Sequence, residues 1–210
     1  MKTINALLFI NGEPPESFPD PEKFDIIGCT DGAFHYLKNK GFTLEKLDFI
    51  SGDFDSGSGI DMDGFQQRII YTPDQDRTDF DKALEILVQK NVQHVTVLGA
   101  SGGEMDHFLG NLTVAYQFRT KLEIRFYDAF SEYFFIPKKF RISGVRKKMI
   151  SLYPFPVADG IFTTGLNWPL NDGALDMCSR IGTRNFAVDD DVSVSYQSGD
   201  LLLFIGQQYL

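Results

Sequence analysis

Between Gly52 and Asp81 the chain carries eight carboxylates in thirty residues, and every one of them is Asp. They gather in two knots, Gly52-Asp53-Phe54-Asp55-Ser56 and Asp74-Gln75-Asp76-Arg77-Thr78-Asp79-Phe80-Asp81. Only Arg68 and Arg77 offset them within the stretch, so a fold that gathers even half of them repels itself unless protons or cations intervene. Short, hard carboxylates suit Mg²⁺ or Ca²⁺ rather than zinc, and Mg²⁺ keeps its waters so firmly that it usually arrives with substrate phosphates. The chemistry indicated is a metal-and-phosphate site. Asp61 and Asp63 sit in a polar, glycine-bearing stretch and read as surface or cap residues. Asp53 and Asp55 instead follow the apolar run Leu47-Asp48-Phe49-Ile50, a buried strand by its pattern. Asp53, Asp55, Asp76 and Asp79 are the candidates for function.

Elements that could position these residues are visible in the hydrophobic pattern. Up to about residue 128, short apolar runs alternate with amphipathic stretches, giving strands near 4–10, 24–29, 47–51, 68–71, 94–99 and 123–128. That alternation predicts an α/β layer with a largely parallel sheet. One helix begins near Thr78, where Thr78 and Asp81 resemble a capping box and Phe80, Ala83, Leu84 and Leu87 mark an apolar face; Asn91 ends it. A second runs from Asp106 to Phe118 with Phe108, Leu109, Leu112 and Ala115 facing inward. A third, weaker, spans Ala33 to Lys40, closed by Gly41. After residue 130 helical periodicity disappears. Strands near 133–136, 140–145, 149–153, 161–164, 192–196 and 201–205, with turn signals at Asp159-Gly160 and Ser198-Gly199-Asp200, predict an all-β domain, a sandwich. The expected division is an N-terminal domain of residues 1–130 and a C-terminal domain of residues 131–210.

In an open parallel sheet, ligands bind beyond the carboxyl ends of the strands. Four successive strand ends here carry marked residues: Thr30-Asp31-Gly32-Ala33, Asp53-Phe54-Asp55-Ser56, Asp74 to Asp79, and Ala100-Ser101-Gly102-Gly103 with Asp106. The last offers free backbone N–H groups at a helix N-terminus, a cradle for phosphate oxygens. It is not a P-loop, because Gly99-Ala100-Ser101-Gly102-Gly103-Glu104 lacks the Gly-Lys-Ser/Thr ending. An EF-hand also fails, since Ile70 falls where the bidentate Glu is required. Two other readings stay open on residues alone. A haloacid-dehalogenase-like phosphatase uses an Asp-x-Asp at a strand end, as Asp53-Phe54-Asp55 would, but that motif ordinarily belongs to the first strand and here two precede it. A non-enzymatic, metal-dependent ligand-binding module is the other, and it explains the convergence of loops less well.

Composition narrows the classes further. The 210 residues are 43% apolar with net charge −9, enough to bury a sizeable core and unsuited to holding nucleic acid by neutralising phosphates. The opening run Ile4–Ile10 is too short to span a membrane and lacks the features of a signal peptide, so a cytoplasmic enzyme is expected. Cys29 and Cys178 make no zinc pattern and read as small buried hydrophobes. Of the three histidines, none at metal-ligand spacing, only His107 remains open to a role.

Taken together and in order, these motifs resemble those of thiamine pyrophosphokinases, over nearly the whole chain. The signposts are Asp-Gly-Ala at Asp31, Gly-Asp-Phe-Asp-Ser at Gly52, Thr-Pro-Asp-Gln-Asp-x-Thr-Asp-Phe from Thr72, Gly-Gly-x-x-Asp-His from Gly102, and Thr-Thr-Gly-Leu-x-Trp from Thr163. The resemblance implies transfer of a pyrophosphoryl group from ATP to the thiamine hydroxyl, with AMP leaving. It implies Mg²⁺ and ATP phosphates held by Asp53, Asp55 and Asp79, and a nucleotide site completed by Asp31, Gln75, Asp76, Thr78, Lys82, Ser101, Gly102 and Asp106. It further implies a thiamine site at Trp168, Thr183 and Asn185, and a homodimer with active sites at the subunit interface. Thiamine is a flat cation, and the chain's only Trp could offer it a stacking face, although by itself Trp168 reads as a core anchor. The chain departs from the family at Glu104, where Arg is usual, and at Arg184, where a small Ser is common.

Overall fold

The computed structural model describes residues 2–54 and 64–209, and these divide into two compact units, one ending at Asp128 and the other running Ala129–Leu210. Asp55, Asp61 and Asp63 lie outside the described residues.

In the first unit six strands form a parallel sheet: β1 (Asn5–Phe9), β2 (Ile26–Thr30), β3 (Phe49–Gly52), β4 (Ile69–Tyr71), β5 (His94–Leu98) and β6 (Glu123–Tyr127), in the order β4-β3-β2-β1-β5-β6. Three helices connect them, α1 (Asp31–Asn39), α2 (Asp79–Gln89) and α3 (Met105–Phe118). β1, with Ile4 before it and Ile10 after it, reads as a nearly unbroken apolar run because a parallel sheet is covered on both faces, whereas His94 and Thr96 interrupt β5. On one face Leu7, Phe9, Ile27, Cys29 and Ile50 pack with Phe34 and Leu37 of α1 in a single cluster. α2 also packs on β2 and β3, burying Phe80, Ala83, Leu84 and Leu87 as its helical spacing requires. Thr78 caps α2 by accepting from Asp81 N at 3.2 Å. The reciprocal half of the capping box is absent, because the Asp81 carboxylate pairs with Arg77 instead.

The strand order decides where a ligand belongs. From β1 the chain builds outward through β2, β3 and β4, then returns to place β5 on the other side of β1. The connections leaving β1 and β5 therefore diverge, which opens a crevice at their carboxyl ends. The loops flanking it pass unusually close: Glu13 N donates to Ser101 O at 2.8 Å, and a Cβ on Gly12 would lie 2.3 Å from Gly99 O.

The second unit is built around one long strand, β9 (Lys148–Thr164). Its partners include β13 (Ser198–Tyr209), which pairs in turn with β7 (Ser131–Ile136), and, on the other edge, β11 (Gly182–Phe186) and β10 (Gly173–Asp176). The last residues of β9 join a second sheet, pairing with β12 (Val192–Ser195), itself paired with β8 (Lys139–Ile142). Ile150, Leu152, Ile161, Val192, Val194, Leu201 and Leu203 from both sheets share one core.

Several expectations need correction. The strands expected near 149–153 and 161–164 are one strand, and Asp159-Gly160 is not a turn between them: Gly160 takes φ +64° within β9. β10 and β11 had no counterpart in the pattern. α1 begins at Asp31 rather than Ala33. Leu109 does not face inward; it is 62% exposed, because the inward stripe of α3 is narrower than its run of apolar residues. Cys29 is buried, which pushes its thiol up from the ordinary range, but Cys178 is exposed in the turn after β10.

Candidate active site

A cleft of about 510 Å³ opens at the carboxyl ends of the parallel strands. It collects residues from five loops: Ile10 to Glu13 after β1, Thr30 and Asp31 after β2, Asp53 after β3, Gln75 to Phe80 with Lys82 around the start of α2, and Ala100 to His107 before and within α3. Asp76, Ser101 and Met105 are exceptions within those runs. Asp76 is exposed beside Asp74, whose Oδ1 accepts its N–H at 3.0 Å, and the Ser101 hydroxyl turns to Asp128 Oδ2 at 3.0 Å.

Asp31 is 7% exposed, and its two oxygens accept from Gly32 N at 2.7 Å and Phe54 N at 3.1 Å. The second bond tethers the Asp53 loop, where Phe54 takes φ +55°. Gly52 is required here, since a Cβ would meet the Asp31 carboxylate at 2.3 Å. Burial raises the Asp31 pKa above the usual carboxylate range, the two N–H donors pull it back, and Asp79 and Asp53 raise it again by repulsion. Gln75 Nε2 donates to Asp53 Oδ2 at 2.6 Å. Asp79 Oδ1 lies 2.8 Å from Lys82 Nζ, the cation of a side chain only 6% exposed.

The donor set fits Mg²⁺. It consists of hard carboxylate oxygens at the edge of an open cleft; burial is the main cause of the raised Asp31 pKa, and the smaller repulsion from Asp79 and Asp53 is what a divalent cation would relieve. Asp53 and Asp79 line the cleft and are described residues that could hold it. Across the cleft, Gly102 and Gly103 take φ of +76° and +66°, and the N-cap residue Glu104 makes no side-chain bond to the start of α3. The first N–H groups of α3 therefore have no side-chain cap from Glu104 and lie beside residues that line the cleft. Glu104 is exposed beside His107, with Oε2 3.5 Å from Nε2, and together with Asp106 the three place one ligand atom each within 4.8 Å.

In the second unit, Trp168, Thr183 and Asn185 line one pocket of about 120 Å³. Trp168 is not a core anchor: it is 60% exposed and stands edge-on to Phe186, ring centroids 5.5 Å apart. Asn185 holds it there, accepting from Trp168 N at 3.2 Å and donating to Trp168 O at 2.8 Å. Asn185 lies beyond a break in the β11–β9 register, after Arg184, which takes φ +57° and whose N–H donates to Ser151 Oγ at 2.9 Å.

Sequence reasoning missed Asn11, Gly12, Glu13, Arg77 and Asn111 in the cleft and Arg180 in the pocket. The loop after β1 could have been found from strand order, but Ile10-Asn11-Gly12 carries no cluster of charge to draw notice. His107, left open before, does line the cleft.

Comparison with known proteins places both units. Residues 21–127 match the family model for "Thiamin pyrophosphokinase, catalytic domain", and residues 136–201 match "Thiamin pyrophosphokinase, vitamin B1 binding domain". A thiamine pyrophosphokinase of Bacillus subtilis is 28% identical, covering 97% of this chain and 98% of its own. One from Caenorhabditis elegans is 27% identical over 92% of this chain and 86% of its own. Among solved structures, thiamin pyrophosphokinase from Candida albicans superimposes with a TM-score of 0.82 at 20% identity, covering 97% of this chain and 89% of that one; that likeness concerns the fold.

Proposed function

The chain belongs to the thiamin pyrophosphokinase family, and from that premise we propose that the cleft holds ATP and the Trp168 pocket holds thiamine. The enzyme transfers the pyrophosphoryl group of ATP to the hydroxyl of thiamine, giving thiamine diphosphate and AMP. The observation that carries the site assignment is the meeting, in one cleft, of Asp31, Asp53, Gln75, Thr78 and Asp79 with the Gly102-Gly103 amides.

In this reading, the backbone N–H groups of Gly102, Gly103 and the first turn of α3 receive phosphate oxygens. Asp53 and Asp79, with Asp55, which lies outside the described residues, would hold Mg²⁺, and the ion would supply neutralisation of charge on the transferring group. Asp31 fixes the Asp53 loop through Phe54 N. The thiamine hydroxyl oxygen attacks the β-phosphorus, the bond to the oxygen bridging the α- and β-phosphorus breaks, and AMP departs with that oxygen. A nearby Asp carboxylate takes the hydroxyl proton. Trp168 stacks on the cationic heterocycle, with Thr183 and Asn185 at the same pocket. The second unit is a β-sandwich, and the working molecule is a cytoplasmic homodimer whose sites take the Asp loops from one subunit and Trp168 from the other. Among the described residues no helix is long and apolar enough to cross a membrane.

Incubation with ATP, Mg²⁺ and thiamine tests the reading. AMP and thiamine diphosphate should appear in equal amounts. Phosphate release without AMP would point instead to a phosphatase, and binding without turnover to a binding module.

A further inference from the structure

We propose that Lys82 is a positioning residue, an internal clamp on the acidic loop, and not a phosphate ligand. The proposal refines the reading of the cleft as the nucleotide site, where Lys82 stands among the lining residues. Its ammonium donates to Thr72 O at 2.9 Å and Asp74 O at 3.1 Å, and it forms an ion pair with Asp79 Oδ1 at 2.8 Å, outside hydrogen-bond geometry. The side chain is 6% exposed and lies along the buried face of α2, beside Ala83 and Leu84 in sequence. An ammonium bonded to two loop carbonyls and ion-paired with Asp79, on a packed stem, is committed to the loop before any phosphate arrives.

What it does offer is geometry. Thr72 begins the connection from β4 to α2, and its N–H donates to Gly52 O at 2.9 Å, fastening that connection to the end of β3. Lys82 grips the same connection at two carbonyls and joins it to the carboxylate that opens α2. Between those grips lies Gln75, which donates to Asp53 Oδ2 at 2.6 Å. One ammonium thus sets the spacing between Asp79 and the loop that orients Asp53. Its charge also balances Asp79 before any other cation enters, which lets two acidic knots fold against each other.

Reductive dimethylation of the wild-type chain, read by mass spectrometry, tests the clamp without a variant. Lys82 should stay unlabelled both without nucleotide and with ATP, while Lys2, with its side chain 81% exposed, labels fully. Labelling of Lys82 in either state overturns the proposal. Turnover supplies a second readout. Lys82→Met should lower kcat about tenfold or more with KM for ATP within about threefold, and lower the folding equilibrium constant of the nucleotide-free protein about tenfold or more, since it strands buried acceptors. Lys82→Arg, which restores a cation, should recover part of both. A raised KM for ATP with unchanged kcat and unchanged unfolding midpoint would identify a phosphate ligand and overturn the clamp. If Lys82→Met does not fold, the labelling result decides. Labelling and unfolding need no turnover, so failure to form AMP would count against the ATP reading and leave the clamp to be judged separately.

Discussion

Charge in the cleft is balanced side chain by side chain: Asp31 by backbone N–H groups, Asp53 by the Gln75 amide, Asp79 by Lys82. Asp53→Asn keeps a carbonyl oxygen for Gln75 to donate to, so the nucleotide-free fold should hold its melting temperature within about 2 °C or gain stability from reduced repulsion. Turnover should fall about 10²-fold, because a charge that acts on the transition state is lost. Wild-type activity in Asp53→Asn would remove Asp53 from the chemistry. Glu104 presents the opposite case, an exposed acid facing the space proposed for phosphates, with His107 beside it and no core packing to disturb. Glu104→Arg should therefore lower KM for ATP several-fold through charge-assisted hydrogen bonds, and a raised KM would mean the loop is built around the acid. At this scale the sequence drew notice to the Asp knots, where chemistry demands a residue type, whereas Trp168 by itself read as a core anchor and stands exposed. The sequence was not readable where burial decides, because an ammonium that clamps carbonyls and one that waits for phosphate are both simply Lys.

Elements put those side chains within reach of one another, and the decisive one is the crevice between the connections leaving β1 and β5. Its walls touch backbone to backbone at Gly12, where a Cβ would lie 2.3 Å from Gly99 O and 2.7 Å from Ser101 O. Gly12→Ala should force these loops apart, costing about 1–3 kcal/mol of stability and displacing the Gly102-Gly103 amides. KM for ATP should rise more than KM for thiamine, and equal effects on both, or none, would show that the crevice does not serve the nucleotide. The parallel strands and helices of the first unit were legible because burial on both faces writes unbroken apolar runs and helical spacing writes periodic ones. Strand order was not, since it is fixed by pairings across tens of residues. In the second unit Asp159-Gly160 has the residue types of a turn, yet the same positive φ that suits a turn also lets Gly160 redirect β9 without breaking it. β10 and β11 are short and half exposed, so they lack an apolar signal, although β11 carries both Thr183 and Asn185.

For the whole molecule, the proposed shared site can be tested directly, because it takes the Asp loops from one subunit and Trp168 from the other. The two groups belong to different compact units, and a symmetric dimer with an isologous interface would generate two equivalent sites if each were completed by its partner. Complementation separates the possibilities. Asp79→Asn and Trp168→Ala should each be nearly inactive as homodimers, the first by loss of a charge at the phosphates and the second by loss of the stacking face. In a mixed dimer with shared sites, one site receives both substitutions and the other receives neither. Co-refolding equal amounts of the two inactive chains makes such dimers half of the population by random pairing, and each contains one intact site. Activity should then return to about a quarter of the wild-type value per chain, from one working site in half of the dimers. A site made within one chain leaves every site carrying one substitution, and no activity returns. Differently tagged chains establish that mixed dimers have formed, so silence in a purified mixed dimer would exclude the shared site while leaving the residues assigned to the cleft and the pocket in place.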